Sequence, residues 1–331
     1  MDKKDDSRSA GGKGINMTDK VKIFSGSSNI PLAKSISEQL GIPLGEVELS
    51  QFDNGELYVS YKEPIRTCHI FIVQSLSDPV NENFMELLIM IDAAKRASAK
   101  TINIIMPYYG YARQERKRHP REAISAKLVA DLLETAGASR IIPLDLHTAA
   151  IQGFFNFPVD HLTALDELAE YIRSKNIENP VIVSPDAGRA STAEKLANYL
   201  HAPFAMVVTN HDSHTGEEKT HVIGEVAGKT PIVIEDIIDT GKTLLNVVDK
   251  LVEKGGRDIM VAATHGLFSQ NALERLDHAH IKEIVVTDSI LQPSGHSDKL
   301  TVISMASLFT EAIRSNIYGG SIATMFKNKG I

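Results

Sequence analysis

The densest chemistry in the chain lies in residues 232–244, IVIEDIIDTGKTL. The apolar opening reads as a buried strand that delivers Glu235 and Asp236 to its carboxyl end, where open α/β sheets take their ligands. Asp239, Thr240, Gly241, Lys242 and Thr243 then turn the chain into a helix. Backbone N–H groups at that helix start, with the hydroxyls of Thr240 and Thr243, suit a phosphate dianion, and Gly241 admits a close approach. The two carboxylates accept hydrogen bonds and donate none, so they suit vicinal sugar hydroxyls. The segment therefore reads as a sugar-phosphate site. An acidic first turn complementing the helix dipole explains Asp239, but not two adjacent acids on a buried strand end. A P-loop is excluded, because the glycine that motif needs ahead of Gly241 is Asp236 here.

A second constellation is basic. Arg113, Arg116, Lys117 and Arg118 concentrate positive charge in a chain whose formal net charge is -7, beside Tyr108, Tyr109 and Tyr111. Guanidinium near aromatic rings suits triphosphate oxygens better than packing, a solvated basic loop being the plain alternative. His147, in the triplet DLH, reads by itself as a core histidine satisfied by hydrogen bonds, the commoner case.

These residues need strands and helices to hold them. Residues 21–24 read as a strand, 25–29 as a turn and 31–40 as a helix. Strands at 69–73 and 101–106 flank a polar loop at 75–83 and a helix at 84–99; a helix at 121–135 and a strand at 140–144 follow. The second half restarts with a strand at 181–184, a helix at 190–200, a strand to 208 and a polar loop over 209–221. A short strand at 222–225, a buried strand at 231–235, a helix at 243–254 and a strand at 258–263 complete the pattern. Repeated strand-helix-strand units imply an α/β fold with parallel sheets flanked by helices. Residues 69–110 and 230–268 share one element order at an offset of about 160 residues, which points to internal duplication of one lobe.

Length and composition agree. A chain of 331 residues suggests about two lobes. With 43% hydrophobic and 23% charged residues it is globular, which disfavours disorder and an electrostatic nucleic-acid binder. The single cysteine, Cys68, can form no internal disulfide, reads as a small core residue and fits a reducing, cytoplasmic setting. No apolar run suffices to span a membrane. Residues 1–19 lack an apolar stretch and read as a disordered tail rather than a signal or transit peptide, with Met17 as an alternative start.

Taken in order, FDNGE (52–56), SDPVNENFMELLIMIDAAKRASA (77–99), PYYGYARQERK (107–117), DLH with IQGFF (145–155), SPDAG (184–188) and DIIDTGKT (236–243) resemble the class I ribose-phosphate pyrophosphokinases. The resemblance runs from about Lys20 to Phe326. It implies two phosphoribosyltransferase-like lobes, at 20–160 and 161–316, with a segment at 317–331 packing back on the first. It also implies transfer of the β,γ-diphosphoryl group of Mg-ATP to the C1 hydroxyl of ribose 5-phosphate, for nucleotide biosynthesis. By position, Phe52, Asn54, Gly55 and Glu56 fall in an adenine-binding loop contributed by a neighbouring subunit, and Arg113 and Gln114 match the ATP-binding pair. His147 and Asp186 match the magnesium positions, and Glu235, Asp236, Asp239, Thr240, Gly241, Lys242 and Thr243 the ribose-phosphate loop. The family assembles as dimers arranged into hexamers.

The pattern breaks at one place above all. The family's catalytic lysine and arginine positions are Thr209 and His211 here, with Asn210 between them and Lys219 as the one cation of residues 209–221. Phosphoryl transfer depends on cations against its charged oxygens, so this loss should slow the reaction unless Lys219 substitutes. Smaller departures are Asn54, Ala150, Arg189 where a second glycine is usual, Glu235 in place of an aspartate, and Ala123 in the segment 121–125 (REAIS). A working synthetase is the first reading. A catalytically impaired homologue regulating an active paralogue is the second, and a phosphoribosyltransferase acting on a base the third.

Overall fold

The computed structural model describes residues 20–211, 218–277, 280–292, 297–322 and 325, without the side chains of 209–211, 218 and 219. The expected tail at 1–19 lies outside them.

The first half runs β1 (Val21–Ser25), α1 (Ile30–Leu40), β2 (Val47–Gln51), β3 (Leu57–Tyr61), β4 (His69–Val73), α2 (Val80–Arg96), β5 (Thr101–Met106), α3 (Ser125–Ala136) and β6 (Arg140–Pro143). The second runs α4 (Leu165–Ser174), β7 (Pro180–Ser184), α5 (Ala190–Leu200), β8 (Phe204–His211), β9 (Glu218–Ile223), β10 (Thr230–Ile238), α6 (Lys242–Glu253), β11 (Ile259–Gly266), α7 (Ala272–Leu276), β12 (Ile281–Thr287), β13 (Leu300–Ile303) and α8 (Ala306–Tyr318).

The first sheet has the order β1-β4-β5-β6, all parallel. Within the second, β7-β10-β11-β12 repeats that order in parallel pairs. The second sheet adds β13 at one edge and the antiparallel β8 and β9 at the other, whereas β2 and β3 form a separate hairpin. The same four-strand arrangement is thus built twice, as the sequence offset suggests.

Strand alternation splits each sheet between two cores. Phe71 and Val73 of β4 face one core, Ile70 and Ile72 another. On β10, Ile232 and Ile234 enter the same core as Phe71, while Val233 points the other way. That common core also holds Leu32, Leu168, Leu196 and Phe309, from α1, α4, α5 and α8, so the two halves share one interior. Helix α8 brings the chain back onto the first half: it packs on α1, Arg314 donates to the Gln39 carbonyl at 2.6 Å, and Asn316 donates to Asp160 at 2.9 Å.

Three elements depart from their sequence expectation. Helix α2 begins at Val80 rather than near Phe84, its first turn anchored by buried Asn83, which donates to the Ser77 carbonyl at 2.9 Å, while Asn81 and Glu82 stay exposed. Helix α3 begins at Ser125 rather than Arg121, since Glu122 holds the Arg118 and His119 amides in the preceding loop and Arg121 has φ +70°. Of the polar loop expected over 209–221, residues 212–217 lie outside the described residues, while 209–211 continue β8 and 218–221 open β9, with Thr209 opposite Thr220, Asn210 opposite Lys219 and His211 opposite Glu218. Backbone pairing tolerates polar side chains on an edge hairpin, so their polarity did not mark a loop.

Phe309 is fully buried where α8 meets the shared core. Phe309→Ala should lower unfolding free energy by about 3–5 kcal/mol in urea titration; a loss under about 1 kcal/mol would show that the two halves are held by other contacts.

Candidate functional site

Central strand β10 is buried through Ile234, and its last turn of chain carries the two acids. Asp236 Oδ2 accepts from His147 Nδ1 at 2.7 Å and lies 3.1 Å from the Arg189 guanidinium. Burial alone would raise the Asp236 carboxyl, but the His147 hydrogen bond and the Arg189 charge outweigh it and hold the group below the usual carboxylate range. For Glu235 the Arg189 charge and the Asp236 amide pull the same way but are outweighed. Burial first, then the charges of Asp236 and Asp186, push it up to about 8. Two neighbouring acids on one strand end are therefore held in opposite protonation preferences by their surroundings.

Beyond them the chain turns through Gly241, at φ +72°, and enters α6 at Lys242. A side chain at 241 would meet Leu276 at 3.1 Å and strain the left-handed backbone, so only glycine fits this corner. The Thr240 carbonyl is fixed by Arg275 at 2.9 Å. Thr243 and Lys242 stand exposed on the first turn, where the helix amides point outward.

The basic loop of the first half meets this turn directly. Arg113 Nη2 donates to Asp239 Oδ2 at 2.7 Å, a bond spanning 126 residues of sequence. Burial opposes ionisation of Asp239, but hydrogen bonds from Ser269 and Arg113 prevail and lower its pKa. A cavity of about 940 Å³ opens beside this pair, lined by Asp78, Tyr108, Arg113, Gln114, Asp239 and Phe268 among others. Gln114 accepts from Ser125 at 2.7 Å, which ties the loop to α3. The tyrosines divide: Tyr108 sits edge-on to His265 at 5.0 Å, whereas Tyr109 is a core residue whose hydroxyl donates to the Ala126 carbonyl at 2.8 Å.

Not every residue singled out in the sequence converges here. Residues 52–56 form the exposed tip of the β2–β3 hairpin and do not line the cavity. Within that tip, Asn54 Oδ1 accepts the Glu56 amide at 3.1 Å and Gly55 has φ +90°, so both have turn-making work, and Phe52 is 56% exposed. Asp186 is exposed, and its Oδ1 accepts the Arg189 amide at 3.0 Å. The backbones of Thr209, His211 and Lys219 lie on the β8–β9 hairpin, while their side chains lie outside the described residues.

Sequence reasoning overlooked several supports. Asp145 Oδ2 accepts from Thr264 at 2.6 Å and from the Ala164 amide at 3.0 Å, and so fixes the turn that presents His147. Buried His265 bridges Ser289 and the Asp145 carbonyl; burial lowers its pKa. A histidine ending the apolar run 259–264 was the available signal for it.

Two duplicated parallel sheets, with an acidic strand end and a phosphate-type helix start facing a basic loop, define a two-lobed protein of the phosphoribosyltransferase-like fold. A family model described as the N-terminal domain of ribose phosphate pyrophosphokinase matches residues 21–137, and one described as a phosphoribosyl synthetase-associated domain matches 211–327. The ribose-phosphate pyrophosphokinase of Fusobacterium nucleatum is 47% identical over 309 residues, covering 92% of this chain and 98% of that protein. That of Bacillus subtilis is 49% identical over 294 residues, 88% of this chain and 93% of its own. The crystal structure of phosphoribosylpyrophosphate synthetase from Mycobacterium smegmatis superposes with a TM-score of 0.86 at 42% identity, over 91% of this chain and 100% of that one. The chain belongs to the ribose-phosphate pyrophosphokinase family.

The raised Glu235 carboxyl predicts a pH signature. Between its ordinary 4.5 and about 8 the folded protein holds this proton more tightly than the unfolded chain does, so its contribution to stability falls as pH rises through that window. In ligand-free protein, the stability of Glu235→Gln relative to wild type should therefore grow from pH 5 to pH 8.5. Denaturant titrations giving a constant difference would place the carboxyl in water instead.

Proposed function

We propose that this chain transfers the β,γ-diphosphoryl group of ATP to ribose 5-phosphate, giving AMP and 5-phosphoribosyl 1-pyrophosphate. The observation that carries this reading is the Arg113–Asp239 contact, which sets the basic nucleotide-type loop against the sugar-phosphate turn at the mouth of one cavity. In the step, the C1 hydroxyl oxygen bonds to the β-phosphorus, the bond from that phosphorus to the α,β-bridging oxygen breaks, and AMP leaves with the electron pair. The hydroxyl proton passes to water.

Each residue has a part that its position supports. Gly241 and the first amides of α6, with Thr240 and Thr243, hold the 5-phosphate, and Lys242 adds charge beside it. Glu235, Asp236 and Asp239 take the sugar hydroxyls. Arg113 and Gln114 bind the triphosphate. Phe52, Asn54, Gly55 and Glu56, exposed and away from the cavity, serve a neighbouring subunit's nucleotide site in a homo-oligomer of dimers forming a hexamer.

Mg²⁺ typically takes few protein ligands, keeps waters and completes its shell with substrate phosphates. The exposed carboxylate of Asp186 and the imidazole of His147 fit that sparse demand, and both are tied to Arg189. The ion would neutralise phosphate charge and polarise the phosphoryl oxygens when bound. Thr209 and His211 occupy the positions of the loop cations and bring no fixed charge, so Lys219, across the ladder from Asn210, is the proposed loop cation. No helix among the described residues is long and apolar enough to cross a membrane, and the proposed setting is cytoplasmic, without nucleic acid.

Purified protein should form AMP from ATP only when ribose 5-phosphate and Mg²⁺ are both present. ATP binding without any such turnover would overturn the activity and favour a regulator of an active paralogue. Arg113→Ala should raise the KM for ATP by about tenfold or more, the scale of one lost charge-assisted hydrogen bond, and an unchanged KM would remove Arg113 from the nucleotide site.

A further inference from the structure

The strands of the first sheet start around a separate cavity of about 220 Å³, at the end of the sheet opposite the Arg113 loop. From it β5 rises about 17 Å before the chain turns toward Arg113. Val21, Phe71 and Ile317 of α8 give the cavity apolar walls. Arg140 is the charged member of its lining among the described residues, and its guanidinium donates to Asp160 at 2.7 Å. No unpaired charge is therefore offered there.

Asn103 breaks the apolar pattern of β5. Ile102, Ile104 and Ile105 are core residues, whereas Asn103 is 6% exposed and lines the cavity. A buried polar side chain on an interior strand needs partners. Its Nδ2 has two, the Ile70 carbonyl at 3.0 Å and Thr101 Oγ1 at 3.1 Å. The reverse amide orientation would set oxygen against the Ile70 carbonyl, so Oδ1 is left as an acceptor without a hydrogen bond among the described residues.

The same bonds fix two donors. Thr101 accepts from Asn103, so its own proton goes to His69 Nδ1 at 2.9 Å and the imidazole carries its proton on Nε2. Burial first, then the charges of Lys100 and Lys20, lower the His69 pKa and favour that neutral ring. Ser139 Oγ accepts the Ile102 amide at 3.1 Å, which leaves its hydroxyl proton to give. Ser139 and His69 thus line the cavity as donors and Asn103 as an acceptor, between apolar walls.

We propose that this cavity is a second binding site, for an uncharged six-membered imide ring of the pyrimidine-base type. Such a ring carries two carbonyl acceptors flanking one N–H donor, the complement of the two donors and one acceptor in the lining. Size agrees, since a cavity of about 150 Å³ takes benzene. This one has room for a single substituted ring and is too small for a nucleotide. A phosphate or carboxylate would find no free cation in the lining to offset its desolvation.

Uracil, titrated calorimetrically into the full chain, is the probe and should bind saturably. 3-Methyluracil lacks the N–H that Asn103 Oδ1 accepts and should bind about tenfold more weakly. In Asn103→Leu the affinity for uracil should fall to that for 3-methyluracil, so that the two ligands no longer differ. No saturable uracil binding, equal wild-type affinity for both ligands, or a preference that survives in Asn103→Leu overturns the proposal. Should Asn103→Leu fail to fold, His69→Phe and Ser139→Ala decide it: each should weaken uracil severalfold, and unchanged affinity in both overturns it. Loss of uracil binding in Arg113→Ala would place the ring in the cavity beside Asp239 and overturn it as well.

Discussion

Carboxylates crowded at the end of one buried strand are the constraint to which the surrounding site answers. Isolated, each would cost several kcal/mol to bury in ionised form, and pairing with a fixed cation is the cheapest remedy for an acid that must remain charged. Asp236 receives that remedy from Arg189 and His147; Asp239 receives it from Arg113 and Ser269. For Glu235, burial and the neighbouring acids outweigh the Arg189 charge and the Asp236 amide, and it favours its proton. Acceptor and donor character are thereby divided between neighbours without any difference in their intrinsic chemistry. The partners come from four separate loops, which follow β5, β6, β7 and β11.

Such a pattern needs a rigid frame, and the shared core provides it. His147 and Arg113 follow strands of the first sheet, while Asp236 lies on a strand of the second and Asp239 and Arg189 follow strands of it. Distances near 3 Å between them survive only if the sheets cannot slide. Residues from both sheets and from α1, α4, α5 and α8 interlock in one apolar cluster. Polar stitches act closer to the site: Asn29 donates to the Asp288 carbonyl at 2.7 Å and Ser75 to the Ser289 carbonyl at 2.6 Å. Interiors packed at this density transmit strain rather than absorb it, so the two halves work as one body around the cavity.

Legibility followed the range of the interaction. Strands such as β4 and β5 announce themselves through apolar runs, and the sugar-phosphate turn through local order of acid, hydroxyl and glycine, because short-range geometry fixes both. The repeat was readable for the same reason. What escaped depended on partners far away in sequence. The first turn of α2 is a short-range exception: it reads as loop because its residues are polar, and a single side-chain bond from Asn83 to the Ser77 carbonyl anchors it. Residues 209–211 and 218–221 looked like loop because edge pairing leaves no apolar periodicity. Arg189 looked like a departure from a glycine, with nothing local to reveal His147 and Asp236 as its partners. Asn54 drew attention as a ligand group, yet its carbonyl is already used to shape the hairpin tip.

Under the proposed activity, substrate entry has an electrostatic cost. Arg113 is committed to Asp239 at 2.7 Å, so a triphosphate that takes the guanidinium must offer more than a single carboxylate does. Phosphate oxygens of higher total charge, in the fork geometry a guanidinium matches, satisfy that condition. Asp239 would be left without its cation but with the Ser269 hydrogen bond, at the moment when a neighbouring sugar hydroxyl could replace the lost donor. On that reading the ion pair between the halves would couple nucleotide binding to sugar binding through a shared charge. Neither side can fill without altering the electrostatics of the other.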